Sequence, residues 1–243
     1  MRKIFIILML SVFSIANAHP FKSEKELYEY YAEIDKKIFA EKNKPIIRKK
    51  YPRKLSDKEL EQEQIPFSLK RYTVDEIVGN NKLVYNAFNY QLMSISQINE
   101  NNKEEGVIRT FDEDENLISI AYIENSKGVM GIYREYYPWG VLKNETPYYT
   151  SEINGKLKNY YPDGLLKEEY TYYNNKKEGL ATMYYESGQK FAIENYKNDL
   201  KNGDYYMYYE NGTLGMKAFF VNGKRERTIE FYEEDGKKIE KNK

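Results

Sequence analysis

An aromatic residue stands at every twelfth position from Tyr136 to Tyr232: Tyr136, Tyr148, Tyr160, Tyr172, Tyr184, Tyr196, Tyr208, Phe220 and Tyr232. Two glycine series recur every twenty-four positions over the same stretch. One is Gly140, Gly164, Gly188, Gly212 and Gly236; the other is Gly131, Gly155, Gly179 and Gly203. A period of this length commits a chain to a repeat architecture, in which each unit buries its apolar surface only by stacking on its neighbours.

Each unit reads Gly, four residues, Tyr-Tyr, two residues, Gly, then a longer alternating run and a polar turn. The pairs Asp163-Gly164, Asn211-Gly212 and Asp235-Gly236 lie between apolar runs. Such pairs predict two-residue hairpins with type I′ turns, because both central residues of that turn take positive φ. Asn116 lies one period before Gly140, so an earlier unit containing Phe111 and Leu117 is expected. The turns at 174–179 and 198–203 read as longer and more polar connections. The expected fold is mainly β: an elongated antiparallel β-hairpin repeat array, a single twisted meander sheet, with an N-terminal helical segment.

A two-residue turn at Asn211-Gly212 would pair Tyr209 with Leu214, and likewise Tyr161 with Leu166 and Tyr137 with Leu142. Side chains alternate faces along a strand. This register puts Leu157, Tyr161, Leu166, Tyr172, Met183, Tyr185, Tyr196, Met207, Tyr209, Leu214, Met216 and Phe220 on one packed face. It puts Tyr136, Tyr160, Tyr184, Tyr208 and Tyr232 on the other, among Lys143, Lys156, Lys158, Lys167, Glu169 and Lys217. That second set, together with the lone Trp139 in its turn, is the candidate binding surface: Tyr136, Trp139, Tyr160, Tyr184, Tyr208 and Tyr232. Trp139 stands where other units carry Asp, Ser or Asn. It reads either as a drifted turn residue packed on its neighbour or as an anchor for a partner or sugar ring.

Ahead of the repeats, residues 1–18 read as a signal peptide: Arg2 and Lys3, an apolar run from Ile4 to Ile15, and an Ala16-Asn17-Ala18 cleavage site. The mature chain is expected to be exported to the periplasm, cell surface or medium, and not integral to a membrane. Residues 19–66 form a helical segment with a basic linker. Ser23 and Glu26 make a capping box, Leu27, Tyr30, Tyr31, Ile34 and Ile38 recur at helical spacing, and Pro45 ends the helix near Asn43. Residues 44–54 are basic, and a second short helix is expected over Asp57–Gln64. Residues 67–105, with β-type runs at Leu83–Phe88 and Leu92–Ile98, read as worn repeats or a cap. Residues 106–240 are the repeat array.

Composition narrows the function classes. Thirty-eight basic and thirty-eight acidic residues balance, which argues against nucleic acid as a partner. A mean hydropathy of −0.82 with abundant Tyr, Asn, Lys and Glu fits a thin, solvated sheet rather than a thick enzyme core. There is no cysteine, and His19 is the only histidine. Thiol chemistry and Ser–His–Asp or Cys–His arrangements cannot be built, and His19 lacks the companions a metal site needs. Asp112, Glu113, Asp114 and Glu115 read as a solvated acidic turn without a calcium-loop pattern. No catalytic residue, metal or cofactor is expected, and the chain reads as a non-enzyme.

The unit Gly203-Asp204-Tyr205-Tyr206-Met207-Tyr208-Tyr209-Glu210-Asn211-Gly212-Thr213-Leu214 resembles the bacterial MORN-repeat variant family, over about residues 106–240. Many bacterial members are labelled YwqK-type antitoxin components. The resemblance implies a hairpin array used for protein association or scaffolding, with no catalytic residues. Two features depart from the family: the export signal, which fits poorly with a cytoplasmic antitoxin, and the N-terminal third. The expected function is an exported, antitoxin-like protein-binding module whose protein partner is unidentified. The alternative is a cell-wall or glycan binder that stacks sugars on the tyrosines. A third reading docks residues 44–54 on an anionic membrane surface.

Overall fold

The computed structural model describes residues 21–45, 73–86, 91–124, 127–226 and 229–240. The signal peptide, most of the basic linker and the short helix expected at Asp57–Gln64 lie outside the described residues. Among the described residues one helix, α1 (Glu24–Lys42), precedes seventeen strands. These are β1 (Thr73–Val78), β2 (Asn81–Asn86), β3 (Leu92–Ile98), β4 (Glu104–Phe111), β5 (Leu117–Glu124), β6 (Gly128–Tyr136), β7 (Leu142–Tyr149), β8 (Glu152–Ile153), β9 (Gly155–Tyr160), β10 (Leu166–Tyr173), β11 (Lys176–Tyr184), β12 (Lys190–Lys197), β13 (Leu200–Lys201), β14 (Gly203–Tyr208), β15 (Leu214–Val221), β16 (Lys224–Arg225) and β17 (Glu230–Phe231). Neighbours in sequence pair antiparallel, except β8 with β9, β13 with β14 and β16 with β17, giving one open meander. The short strands β8, β13 and β16 are first segments of broken strands: β7 pairs with both β8 and β9, β12 with both β13 and β14, and β15 with both β16 and β17.

One register row crosses nearly the whole sheet: Leu83, Ile95, Arg109, Ile120, Arg134, Glu145, Lys158, Glu169, Thr182, Ile193, Tyr206, Lys217 and Glu230 are successive cross-strand partners. Directly opposed residues share a face, so this row defines one side of the sheet from end to end.

The hairpin register differs by one residue from the sequence expectation. Leu214 pairs with Tyr208, not Tyr209; Leu166 pairs with Tyr160 and Leu142 with Tyr136. The turns are the reason. Gly212 N–H donates to the Tyr209 carbonyl and Tyr209 N–H to the Thr213 carbonyl. Gly212 takes φ of 84° while Asn211 keeps a negative φ. This is a three-residue loop in which a type I turn is followed by a left-handed glycine and a bulge, the alternative reading of an Asn-Gly pair. The extra residue reverses the alternation. Leu142, Leu166 and Leu214 therefore lie on the face of the first tyrosines, and Lys167 reaches the Tyr161 ring, 5.7 Å from its centroid, rather than the opposite face.

The type I′ turns occur at the other edge, where longer loops were expected. Tyr173 pairs with Lys176 across Asn174 (φ 47°) and Asn175 (65°), and Lys197 with Leu200 across Asn198 (50°) and Asp199 (67°). Asparagine tolerates this conformation best after glycine.

α1 follows the sequence closely. The Ser23 hydroxyl accepts from Glu26 N–H, and the helix runs to the Asn43 cap. Its apolar stripe, Leu27, Tyr31, Ile34 and Ile38, is buried, each side chain worth ~1.5–3 kcal/mol of burial. Ile34 and Ile38 meet Val107, Ile120, Met130 and Tyr136 of the sheet. Gly131 permits the approach: a Cβ there would lie 2.6 Å from Ile34 Cγ2. A second buried cluster of Leu83, Tyr85, Leu92 and Ile95 supports the first strands. No helix among the described residues is long and apolar enough to cross a membrane.

Candidate functional site

The face bearing the register row is also the face that carries α1, and this divides the predicted tyrosines. Tyr136 is only 7% exposed and belongs to the core under α1, with Lys42 Nζ 4.4 Å from its ring centroid. The expectation of an open tyrosine there is corrected by the helix, which covers β4 to β6. Tyr160 sits at the rim. Its hydroxyl donates to Glu145 Oε2 at 2.8 Å. Glu145 accepts from Arg134 Nε at 3.0 Å, and Arg134 grips Asp35 of α1 with both Nη atoms at 2.7 and 2.8 Å. Burial raises the Tyr160 pKa, and the Glu145 hydrogen bond adds to it. The bidentate pair raises the Arg134 pKa against the opposing effect of burial. This chain of charge-assisted bonds ties the helix to the first full repeat.

Beyond Tyr160 no helix among the described residues lies on this face. Tyr184, Tyr208 and Tyr232 are half-buried at their strand ends, and Tyr232 donates to Glu230 at 2.8 Å. Between them lie Thr182, Ile193 and Tyr206 of the row, with Leu180 50% exposed and Leu200 47% exposed. The lysines are partly engaged: Lys156 and Lys158 both reach Glu169, and Lys217 lies 5.5 Å from the Tyr206 ring centroid. The surface is thus a mixed aliphatic–tyrosine strip with a charged margin, which suits protein contact more than a uniformly charged partner.

The opposite face, expected to be packed, carries no second layer among the described residues. Its aromatic side chains pack sideways. Tyr170 and Tyr196 stand edge to face, Tyr205 and Phe220 likewise, with the small residues Ala181, Ala192 and Ala218 buried between large ones. Glutamates accept tyrosine hydroxyls two residues away, as in Tyr170–Glu168 and Tyr196–Glu194, and Lys177 covers both rings.

Each edge is laced by a ladder the sequence reading missed. On the glycine-turn edge, the second tyrosine of each pair donates to the carbonyl of the first tyrosine one unit on: Tyr137 to Tyr160, Tyr161 to Tyr184, Tyr185 to Tyr208 and Tyr209 to Tyr232, at 2.8–3.0 Å. On the other edge, the residue before each glycine of the second series receives a turn N–H from the next hairpin. Met130 receives Thr150, Asn154 receives Asn174, Glu178 receives Asn198 and Asn202 receives Asn222. The period-twenty-four signal was visible at all these positions; what was not visible is that these side chains look along the array.

Trp139 is 61% exposed. Its ring stacks on Tyr137 at 4.9 Å and 4°, and its Nε1–H donates to the Pro162 carbonyl at 3.1 Å. It therefore belongs to the edge ladder while leaving one ring face open. Trp139 and Tyr136, both candidates from the sequence, line one cavity of about 310 Å³ with Lys42, Asn43, Asn116 and Leu117. Tyr184, Tyr208 and Tyr232 do not reach it. Among the described residues no three His, Cys, Asp or Glu side chains converge as a metal site.

The MORN repeat variant model matches residues 153–175, 177–198 and 201–222. These are three tandem MORN-variant repeats. Both ladders run through them and begin one unit earlier, at Tyr137 and Met130. A search of curated sequences finds no match. Among solved structures, TarM matches at 12% identity, covering 83% of this chain and 27% of that one, with a TM-score of 0.21. A mutant of S. aureus TarM in complex with Fondaparinux, alpha-GlcNAc-glycerol and UDP gives 12% identity, 82% and 27% coverage, and a TM-score of 0.18. The chain thus spans about a quarter of the TarM length, and at these scores the likeness bears on no functional argument.

Proposed function

We propose that the chain is a non-enzymatic protein-binding module that docks its partner on the stretch of the helix-bearing face left open beyond Tyr160. One observation carries this reading. The same face already holds an amphipathic helix over β4 to β6, and the equivalent positions further along, including Leu180, Ile193, Tyr206 and Tyr208, are covered by no element among the described residues. Helix-in-groove recognition uses this kind of surface, and tyrosines supply contact area at low entropic cost. The MORN-variant repeats agree with an association role. Export rests on the residue 1–18 pattern, and an antitoxin-like role on family resemblance. The test is capture by crosslinking in the native envelope, comparing the wild type with a Leu180→Ser, Tyr184→Ser, Tyr206→Ser, Tyr208→Ser variant that keeps its circular dichroism. Loss of the captured partner supports the docking face; undiminished capture defeats it.

A second reading, glycan binding, is favoured by the cavity that joins Trp139 to Tyr136. An open indole face beside Asn43, Asn116 and Lys42 combines a stacking platform with amide donors and acceptors. Trp139 is the sole tryptophan, so intrinsic fluorescence reports on this cavity. Sedimentation with purified peptidoglycan together with a fluorescence change supports it, and complete retention in the supernatant with unchanged emission rules it out.

A further inference from the structure

Arg109 and Arg134 flank Ile120 in the same cross-strand row, on the same face, and are buried to the same degree, 7% and 6% exposed. Their partners differ. Arg134 is enclosed by two carboxylates, Asp35 and Glu145. Arg109 makes no ion pair among the described residues. Its Nη1 donates to the Lys44 carbonyl at 2.8 Å, just past the end of α1, and its carbon Cζ lies 6.0 Å from the Phe111 ring centroid. Burial lowers its pKa and the nearby Glu41 carboxylate, itself paired with Lys44, offsets this only in part, where two carboxylates raise the pKa of Arg134 against the same burial. A buried cation with so little compensation is costly, and the helix C-terminus offers only a partial negative charge.

Arg109 lines a cavity of about 380 Å³ at the end of α1, walled by Val78, Leu83 and Ile95 and edged by Asn81 and Gln97. This volume lies within the roughly 300–1,000 Å³ of small-molecule sites. We infer that this cavity binds a small monocarboxylate carried on a short apolar body, with Arg109 receiving the carboxylate as Asp35 and Glu145 receive Arg134. The donors for it are at hand, because the Nη1 bond to Lys44 leaves Nε and Nη2, which form the side-on fork that pairs with a carboxylate. Gln97 accepts Val107 N–H through Oε1, which leaves its amide N–H groups for the ligand. The charge count selects a monoanion. Lys44 and Glu41 neutralise each other in an ion pair at the cavity wall, so one positive charge is left to balance, and Glu41 repels a dianion. The apolar walls select a branched or short aliphatic body. Two sources share this chemistry: a free short-chain acid, and the carboxyl-terminal residue of a peptide.

The test uses the full-length protein and amide-resolved NMR titrations with four probes: isobutyrate, N-acetylvaline, N-acetylvalinamide and inorganic phosphate. Saturable shifts centred on Arg109, Gln97 and Asn81 are expected with the two carboxylates and not with the amide or phosphate. Tighter binding of N-acetylvaline than isobutyrate assigns the peptide source; the reverse assigns the free acid. Arg109→Gln should weaken binding at least tenfold. Val78→Trp, which fills the cavity and leaves the arginine in place, should do the same should Arg109→Gln fail to fold. No saturable shift with either carboxylate up to about 10 mM, ten times a weak millimolar Kd, overturns the inference. So does equal binding of the amide or preferential binding of phosphate.

Discussion

Removing the hydroxyl of Tyr185 by substitution with Phe isolates what holds one repeat to the next. The hydroxyl donates to the Tyr208 carbonyl at 2.8 Å, twenty-three residues on, while the ring stays edge to face with Phe191 at 5.1 Å. Packing is therefore kept and one hydrogen bond is lost. A neutral bond of this kind contributes about 0.5–1.5 kcal/mol net. With a urea m-value of about 1–3 kcal/mol/M, a loss near 1 kcal/mol lowers the midpoint by about 0.3–1 M. Tyr137, Tyr161 and Tyr209 make the same bond in their own units. Their Phe variants should each show a similar loss, and losses at sites two strands apart should add within about 0.3–0.5 kcal/mol. Tyr148 supplies the control: it is half-buried, and its hydroxyl has no hydrogen-bond partner among the described residues, so Tyr148→Phe should change stability by less than about 0.5 kcal/mol. The assay is equilibrium urea unfolding followed by circular dichroism. If Tyr185→Phe and Tyr161→Phe match the control, water satisfies these groups equally well and the second tyrosines serve by ring packing alone.

Asp35→Ala should cost about 3 kcal/mol or more, because it strips a bidentate partner from a buried guanidinium; helical signal should then be lost ahead of the sheet, and simultaneous loss at an unchanged midpoint contradicts this. Thr150→Asn should stabilise the chain by about 0.5–2 kcal/mol, since a β-branched residue is held at φ 51° where the other units carry Asn174, Asn198 and Asn222; the same urea midpoint reads it, and a lower midpoint counts against the strain argument. Burial raises Tyr28 and Tyr30 of α1 from 10.0 to about 12. Each contributes stability that is fully present below pH 10 and is lost as pH rises to 12, because the unfolded chain releases these protons first. Alkaline titration should therefore show delayed phenolate absorbance for these two side chains, with helix loss in the same window; phenolates appearing at pH 10 with the helix intact would falsify the buried placement.

How much was legible in the sequence depends on which direction a side chain points. The helix was readable to its caps because Ser23, Glu26 and the Leu27–Ile38 stripe act within a few residues. The meander was readable because glycine and asparagine at fixed spacing demand turns. The register was not, since Asn-Gly satisfies both a type I′ turn and a type I turn with a left-handed glycine, and one residue of difference turns Leu142, Leu166 and Leu214 to the other face. Nor could the sequence place α1 on a particular face. Gly131 is periodic with Gly155, Gly179 and Gly203, so nothing local marks it as the glycine that admits Ile34. That single placement decides the site. It converts Tyr136 from surface to core, makes Tyr160 part of a bond network, and leaves Tyr184 and Tyr208 as the lattice members with an open face around them. It also separates Arg109 from Arg134. The two arginines have no periodic partners and look alike in the sequence, yet Asp35 reaches only one of them. A repeat signal identifies positions that recur; the helix that lies across part of the sheet decides which of them are core and which stay open as candidate functional positions.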